Sequence, residues 1–172
     1  MNSPEKKIIA IFCNTSWYIY NFRSNLIKTL LKQNYLIVTI APNDIYTKKL
    51  LEIGCVHYNL EVDSKSKNPL KDLILFCNLL LLLNKIKPNI LLNYTAKPNI
   101  YGAFAARIIG IPCVNNIAGL GLGFVFENFT TKILRKLYKY SQRKAEMVFF
   151  QNTEDFNEFK KFGAVTTKNS DL

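Results

Sequence analysis

Two hydrophobic rhythms alternate along the chain. Residues 7–13 (KIIAIFC), 35–41 (YLIVTIA), 55–60, 90–94, 112–117 and 147–151 are short, mostly apolar runs. The first two are apolar almost without interruption, as strands of a parallel sheet covered on both faces must be. Between the runs, apolar residues recur at helical spacing. Residues 21–33 set Phe22, Leu26, Ile27, Leu30 and Leu31 on one side, with Arg23, Lys28 and Lys32 elsewhere. Asn34 then stands in the left-handed stop position that glycine usually fills. A turn at Pro42-Asn43-Asp44 leads to a short helix over residues 46–53, closed by Gly54, and Pro69 opens a long helix ending at Lys87. Lys97-Pro98-Asn99 begins a helix with Ile100, Phe104, Ile108 and Ile109 on one face, ended by Gly110. Helices over about residues 130–144 and 153–162 complete the alternation. Gly163 closes it, and the small polar tail 164–172 is expected to fray.

Strand and helix in alternation predict an α/β fold, a Rossmann-like doubly wound parallel sheet of about six strands with helices on both faces. Its centre is residues 90–124, which read as strand, loop, helix, strand and glycine loop. A right-handed crossover of that length leaves both strand-end loops at one edge, where open parallel sheets bind their ligands. A length of 172 residues fits one domain with a proper core and is too short for two full α/β domains.

Charge narrows the range of partners. Lys and Arg number 23 against 12 Asp and Glu, a formal net charge of +11. That favours an anionic partner such as a phospholipid surface or a diphosphate, and is equally compatible with charges scattered for solubility. Nucleic acid is not expected, because no basic-aromatic stripe or recognised module accompanies the charge. Cys13, Cys55, Cys77 and Cys113 have no CxxC spacing and read as reduced core residues of a cytosolic protein. The N-terminal apolar run is too short for a signal peptide. Lys71, Asp72, Asn78 and Asn84 interrupt the greasy segment 70–86, which reads as a buried or half-buried helix with contact to a membrane surface left open.

Candidate chemistry lies at the predicted ligand edge. Gly119-Leu120-Gly121-Leu122-Gly123 is not the G-x-G-x-x-G of dinucleotide-binding folds. Its glycines allow a backbone to approach an anion closely, or simply supply positive φ. Asn21-Phe22-Arg23 falls where the first strand hands over to the first helix, so helix N–H groups and the Arg23 guanidinium are expected to meet one phosphate together, with a surface salt bridge as the rival reading. Lys97, with Asn99 beside it, holds the equivalent place after the fourth strand. His57, the only histidine, has no predicted partner and reads as structural, which speaks against Ser-His-Asp or metal chemistry. No metal or other cofactor is expected. Glu127 is the weak candidate for a general base, with a helix N-terminal charge as its alternative. On the helix over residues 130–144, Lys132, Lys136, Lys139 and Arg143 form a basic side for anionic lipid, or a solvated charged face, opposite Leu134, Leu137 and Tyr138.

Four stretches in order, YNFRSNLIKTL with the following Ala41-Pro42, NYTAKPNIYGAFAAR, NNIAGLGLGF and VFFQNTEDFNEF, resemble the N-terminal half of bacterial family 4 glycosyltransferases. That group builds capsular, O-antigen and related lipid-linked glycans. The resemblance implies a GT-B architecture, with residues 1–163 as the acceptor-side domain and 164–172 as tail. It also implies a retaining transfer from a nucleotide-sugar to a polyprenyl-diphosphate-linked glycan on the cytoplasmic face of the inner membrane. Carried over by position, the acceptor and diphosphate site would comprise Asn21, Phe22, Arg23, Thr95, Lys97, Asn99, Gly119 and Gly121. Many relatives have a histidine where this chain has Asn93. Nucleotide-sugar binding belongs to a C-terminal domain in this architecture, so the chain is expected to be inactive alone. The alternative is a non-catalytic, membrane-associated acceptor subunit of a two-chain glycosyltransferase.

Overall fold

The computed structural model describes residues 6–66, 68–119, 129–166 and 168–172. Strands β1 (Ile8–Phe12), β2 (Leu36–Ala41), β3 (Val56–Asn59), β4 (Ile90–Tyr94), β5 (Cys113–Ile117), β6 (Met147–Phe150) and β7 (Ser170–Asp171) form one parallel sheet in the order β3-β2-β1-β4-β5-β6-β7. Helices α1 (Ser16–Lys32) and α2 (Thr47–Glu52) cover one face. Helices α3 (Pro69–Ile86), α4 (Ala103–Ile109), α5 (Phe129–Gln142) and α6 (Thr153–Lys161) cover the other. A wide π-helical turn, Pro98–Gly102, leads into α4.

The unbroken apolar run of β1 follows from this sandwich. Alternate side chains of a strand point to opposite faces. Ile9 and Ile11 therefore join Ile19, Ile27 and Leu50 beneath α1 and α2, while Ala10 and Phe12 join Leu75, Leu79 and Leu83 beneath α3. The aromatic end of the second core is Tyr138 of α5 against Phe159 of α6, ring centroids 5.0 Å apart, with Phe150 of β6 at 5.1 Å from Phe159.

Several elements differ from the sequence expectation for physical reasons. Helix α1 begins at Ser16, not Asn21, because Thr15 caps it by accepting from Tyr18 N–H and the Asp44 carboxylate accepts from Trp17 N–H. The tail expected to fray adds the short seventh strand, Ser170 and Asp171 pairing with Val148 and Phe149. Ile108 is 66% exposed, since the buried side of α4 is made by Ala103, Ala105 and Ala106. Asn34 does stop α1 at φ 67°. His57 bridges Thr39 Oγ1 at 3.0 Å and Asn43 Oδ1 at 3.1 Å, and burial lowers its pKa.

All four cysteines are free; Cys13, Cys55 and Cys113 are buried, whereas Cys77 lies exposed on α3. Burial pushes the pKa of Cys13 up to about 11 and those of Cys55 and Cys113 to about 12. At pH 8 those three thiols stay protonated, so iodoacetamide is expected to label Cys77 alone in the folded protein and all four in urea. Peptide mass mapping checks this, and labelling of Cys13 without unfolding would contradict the packing.

Candidate functional site

The connections of β1 and β4, neighbours at the middle of the sheet, leave toward opposite faces, one into α1 and the other into α4. A crevice opens at the carboxyl ends of such a strand pair. Its walls are the loops after Phe12 and after Tyr94, which meet where Cys13 Sγ lies 3.9 Å from Thr95 Oγ1. Thr95 has φ 73°, a strained value for a β-branched residue. That conformation turns the chain sharply from β4, so that Thr95 C=O accepts from Asn99 N–H at 2.9 Å.

Arg23 reaches this crevice from the second turn of α1. Its guanidinium carbon sits 4.3 Å from the Tyr94 ring centroid and 5.7 Å from that of Tyr18. Nη2 lies 3.4 Å from both Tyr18 Oη and Asn116 Oδ1, and Nη1 donates to Phe22 C=O at 3.2 Å. The buried Nε has no partner, and among the described residues no carboxylate pairs with Arg23. The rival surface salt bridge is therefore absent there. Cation–π contact holds such a group in place without neutralising it, which leaves an oriented fork of donors for an anion.

The start of α1 does not join Arg23 in this role, as the sequence led one to expect. Asp44 and Thr15 already take its N–H groups, and Arg23 lies more than a turn beyond them. Asn21 folds back, its Nδ2 donating to Trp17 C=O at 2.9 Å. Phe22 is 55% exposed, packed edge-on against Trp17 at 5.5 Å. Lys97 differs from Arg23 in having its charge matched: Asp72 of α3 pairs with it, at side-chain exposures of 13% and 18%, and Tyr101 Oη donates to the same carboxylate at 2.9 Å. Burial and then the Asp72 carboxylate push the Tyr101 phenol well above its usual range. A groove of about 740 Å³ runs beside Asp72, between residues 59–63 and the first turns of α3.

Beneath the crevice lies a chain of buried amides that sequence reasoning missed. Asn93 Nδ2 donates to Asn115 Oδ1 at 2.8 Å, and Asn115 Nδ2 donates to Gln142 Oε1. Gln142 Nε2 donates to Asn99 C=O at 2.9 Å, and Asn99 Nδ2 donates to Asn116 C=O at 2.8 Å. The signal was present in the strands themselves: asparagine interrupts ILLNY and CVNNI, where a strand buried on both faces wants apolar residues. Asn115 points toward α5 and Asn116 toward Arg23, as strand alternation requires. Gly119, at the exit of β5, has φ 142° with open space where a Cβ would stand, so backbone conformation is what selects glycine there. Gly121 and Glu127 lie outside the described residues. On α5, Lys132 and Lys136 are exposed, Lys139 is half-buried and Tyr138 is buried, and Arg143 is exposed in the turn just after the helix.

The glycosyl transferase 4-like family model matches residues 8–152. The chain belongs to that family. It is also 28% identical over 155 residues to the N,N'-diacetylbacillosaminyl-diphospho-undecaprenol α-1,3-N-acetylgalactosaminyltransferase of Campylobacter jejuni, covering 87% of this chain and 41% of the relative. Among solved structures, a glycosyltransferase from Rickettsia africae superposes with a TM-score of 0.69 at 14% identity, over 97% of this chain and 42% of that one. The UDP-GlcNAc 2-epimerase of Neisseria meningitidis does so with a TM-score of 0.68 at 13% identity, over 96% of this chain and 46% of that one. These two likenesses establish the fold, the Rossmann-like half of a GT-B protein. The chain spans less than half the length of each of the three.

Within this family member Gly102 packs closely against Asn93 under the crevice. A Cβ added at Gly102 would stand 2.1 Å from Asn93 Oδ1. Asn93 is buried and hydrogen-bonded, so it cannot retreat freely. Gly102→Ala is expected to lower the unfolding free energy by about 1 to 3 kcal/mol. Urea denaturation would register this as a lower midpoint at unchanged slope, and an unaltered midpoint would show the contact to be slack.

Proposed function

We propose that this domain holds the acceptor of a sugar transfer, a polyprenyl-diphosphate-linked glycan, with Arg23 on the diphosphate. The observation carrying the reading is a cation clamped on Tyr94 at the sheet's ligand edge with no carboxylate partner among the described residues. A diphosphate meets a guanidinium through two parallel, charge-assisted bonds. The undecaprenol-diphosphate in the name of the Campylobacter jejuni relative supports the same chemistry. Phe22, Thr95 and Gly119 border the acceptor in this proposal, while Asn99, expected there from sequence, is buried beneath them in the amide chain. Lys97 takes part by fixing the loop after β4 through Asp72, in place of the direct phosphate contact expected from sequence.

The nucleotide-sugar is the business of a second GT-B domain, facing this edge, and the transfer is retaining. Catalysis in such a cleft depends on holding donor and acceptor together and on positive charge aimed at the departing diphosphate. The 172-residue chain by itself supplies one wall and transfers no sugar. The setting is surface polysaccharide synthesis at the cytoplasmic face of a membrane. A second reading, a non-catalytic acceptor subunit working with a separate donor-binding chain, shares the same Arg23 site; co-purification of such a chain would favour it.

Arg23→Ala is expected to weaken binding of an undecaprenyl-diphosphate-linked sugar by roughly 10- to 100-fold, the loss of a charge-assisted contact of about 1.5 to 3 kcal/mol. Arg23→Lys keeps the charge without the fork and should fall between. Unchanged affinity in Arg23→Ala, measured by titration of a detergent-solubilised acceptor, would remove the assignment. The isolated chain, given a panel of nucleotide-sugars, is expected to show acceptor binding without turnover; turnover would overturn the half-site reading.

A further inference from the structure

The edge of the sheet opposite the crevice carries a second recess. All the strands are parallel, so α4, α5 and α6 each end at the edge where the next strand begins. Among those helix ends opens a cavity of about 360 Å³, lined by Arg107 of α4, Tyr140 of α5, Arg143 and Lys144 in the turn after α5, and Val165 and Thr166 after α6. Strand β5 runs from this edge toward the crevice and spans roughly 13 Å, so the recess is separate from the Arg23 site.

The three cations of the recess are unmatched. Among the described residues no carboxylate pairs with Arg107, Arg143 or Lys144. Cations at helix ends ordinarily answer the last carbonyls, but here carbonyls at both helix ends have other donors. Gly110 N–H and Ile111 N–H both donate to Ala106 C=O, and Asn169 Nδ2 donates to Gln142 C=O at 3.3 Å. The surroundings add to the charge, with Lys139 Nζ beside Gly163 and Lys168 exposed in the turn before β7. The acids nearest in the chain are Glu146, two residues beyond Lys144, and Asp171 of β7; both are exposed and neither lines the recess. Glu154 and Asp155 stand at the far end of α6, in its first turn, and Glu158 is taken by Arg135.

Like charges gathered around one recess repel each other, and an anion seated among them turns that cost into attraction. Two arginines from different helices offer planar forks that match phosphate oxygens. The rest of the wall is uncharged: the Tyr140 ring is 55% exposed and Val165 is buried. Small-molecule sites range over roughly 300 to 1,000 Å³, and a cavity at the lower end leaves room beside phosphates for a flat ring against Tyr140. We propose that this recess is a binding site for a nucleoside diphosphate, with Arg107, Arg143 and Lys144 on the phosphates and the base against Tyr140. The site uses none of the acceptor residues, and a compound held there lies outside the crevice.

The test is calorimetric titration of the 172-residue chain carrying Arg23→Ala, which removes the crevice cation, with ADP, UDP, inorganic diphosphate and sulfate. ADP and UDP are expected to bind at one site per chain, more tightly than inorganic diphosphate, with sulfate weakest. Adding Arg107→Ala and Arg143→Ala is expected to weaken nucleotide binding by roughly tenfold or more. Tyr140→Ala should bring ADP and UDP down to the affinity of inorganic diphosphate. Lys132→Ala with Lys136→Ala removes the same net charge elsewhere on α5 and should leave binding unchanged. All five positions are exposed, and an unchanged urea midpoint will show that each fold is intact. The proposal is overturned if the Arg23→Ala chain binds neither nucleotide, if the lysine pair costs as much as the arginine pair, or if the nucleotides bind no more tightly than inorganic diphosphate. Each of these results leaves the acceptor reading untouched, because the crevice cation is absent throughout.

Discussion

The carboxyl edge of the sheet is held by amides. Asn93, Asn115, Gln142 and Asn99 join β4, β5, α5 and the π-helical turn through consecutive hydrogen bonds in a region with almost no solvent access. Buried amides are worth little net stability when paired and are expensive when one partner is lost. The network therefore acts chiefly as a constraint. It permits one arrangement of the turn after β4, and with it one position for Thr95, Lys97 and the crevice floor. Gly102 belongs to the same constraint, since the turn can lie this close to Asn93 only without a side chain.

Two cations near that edge show how environment divides residues of one charge. Lys97 is drawn into a nearly dry pair with Asp72, where it ties α3 to the loop. Arg23 is held instead by aromatic faces, which orient a guanidinium and leave its charge available. An ammonium is a compact point charge and has no comparable way to lie flat between Tyr94 and Tyr18.

The strands were legible in the sequence because burial on both faces leaves long apolar runs, and nearly every helix end was legible from Gly, Asn or Pro. The start of α1 was not. Its first turn, Ser16 to Tyr20, is aromatic and β-branched in character, and the groups that stabilise it, Thr15 and Asp44, come from two different loops. The site was half legible for a related reason. Position along the chain placed Arg23 and Lys97 near one edge, but the partner that separates their roles, Asp72, lies on α3 and is brought in only by the tertiary fold. The amides were visible as interruptions in β4 and β5, yet their mutual pairing depends on strand register, Asn93 beside Asn115, which no local pattern encodes.

The strand order also bears on how the chain comes together. β1 sits between β2 and β4, and Ile9 is opposite Ile37 on one side and Ile90 on the other. As the polypeptide emerges, β1, β2 and β3 can assemble early, but one long edge of β1 stays open until β4 has been made. That edge is apolar and unprotected, of the kind that recruits foreign strands. Parallel pairings between distant segments also form slowly. During this interval residues 8–12 offer an unpaired strand edge to other chains, and a chaperone that covers them would guard that edge until β4 arrives.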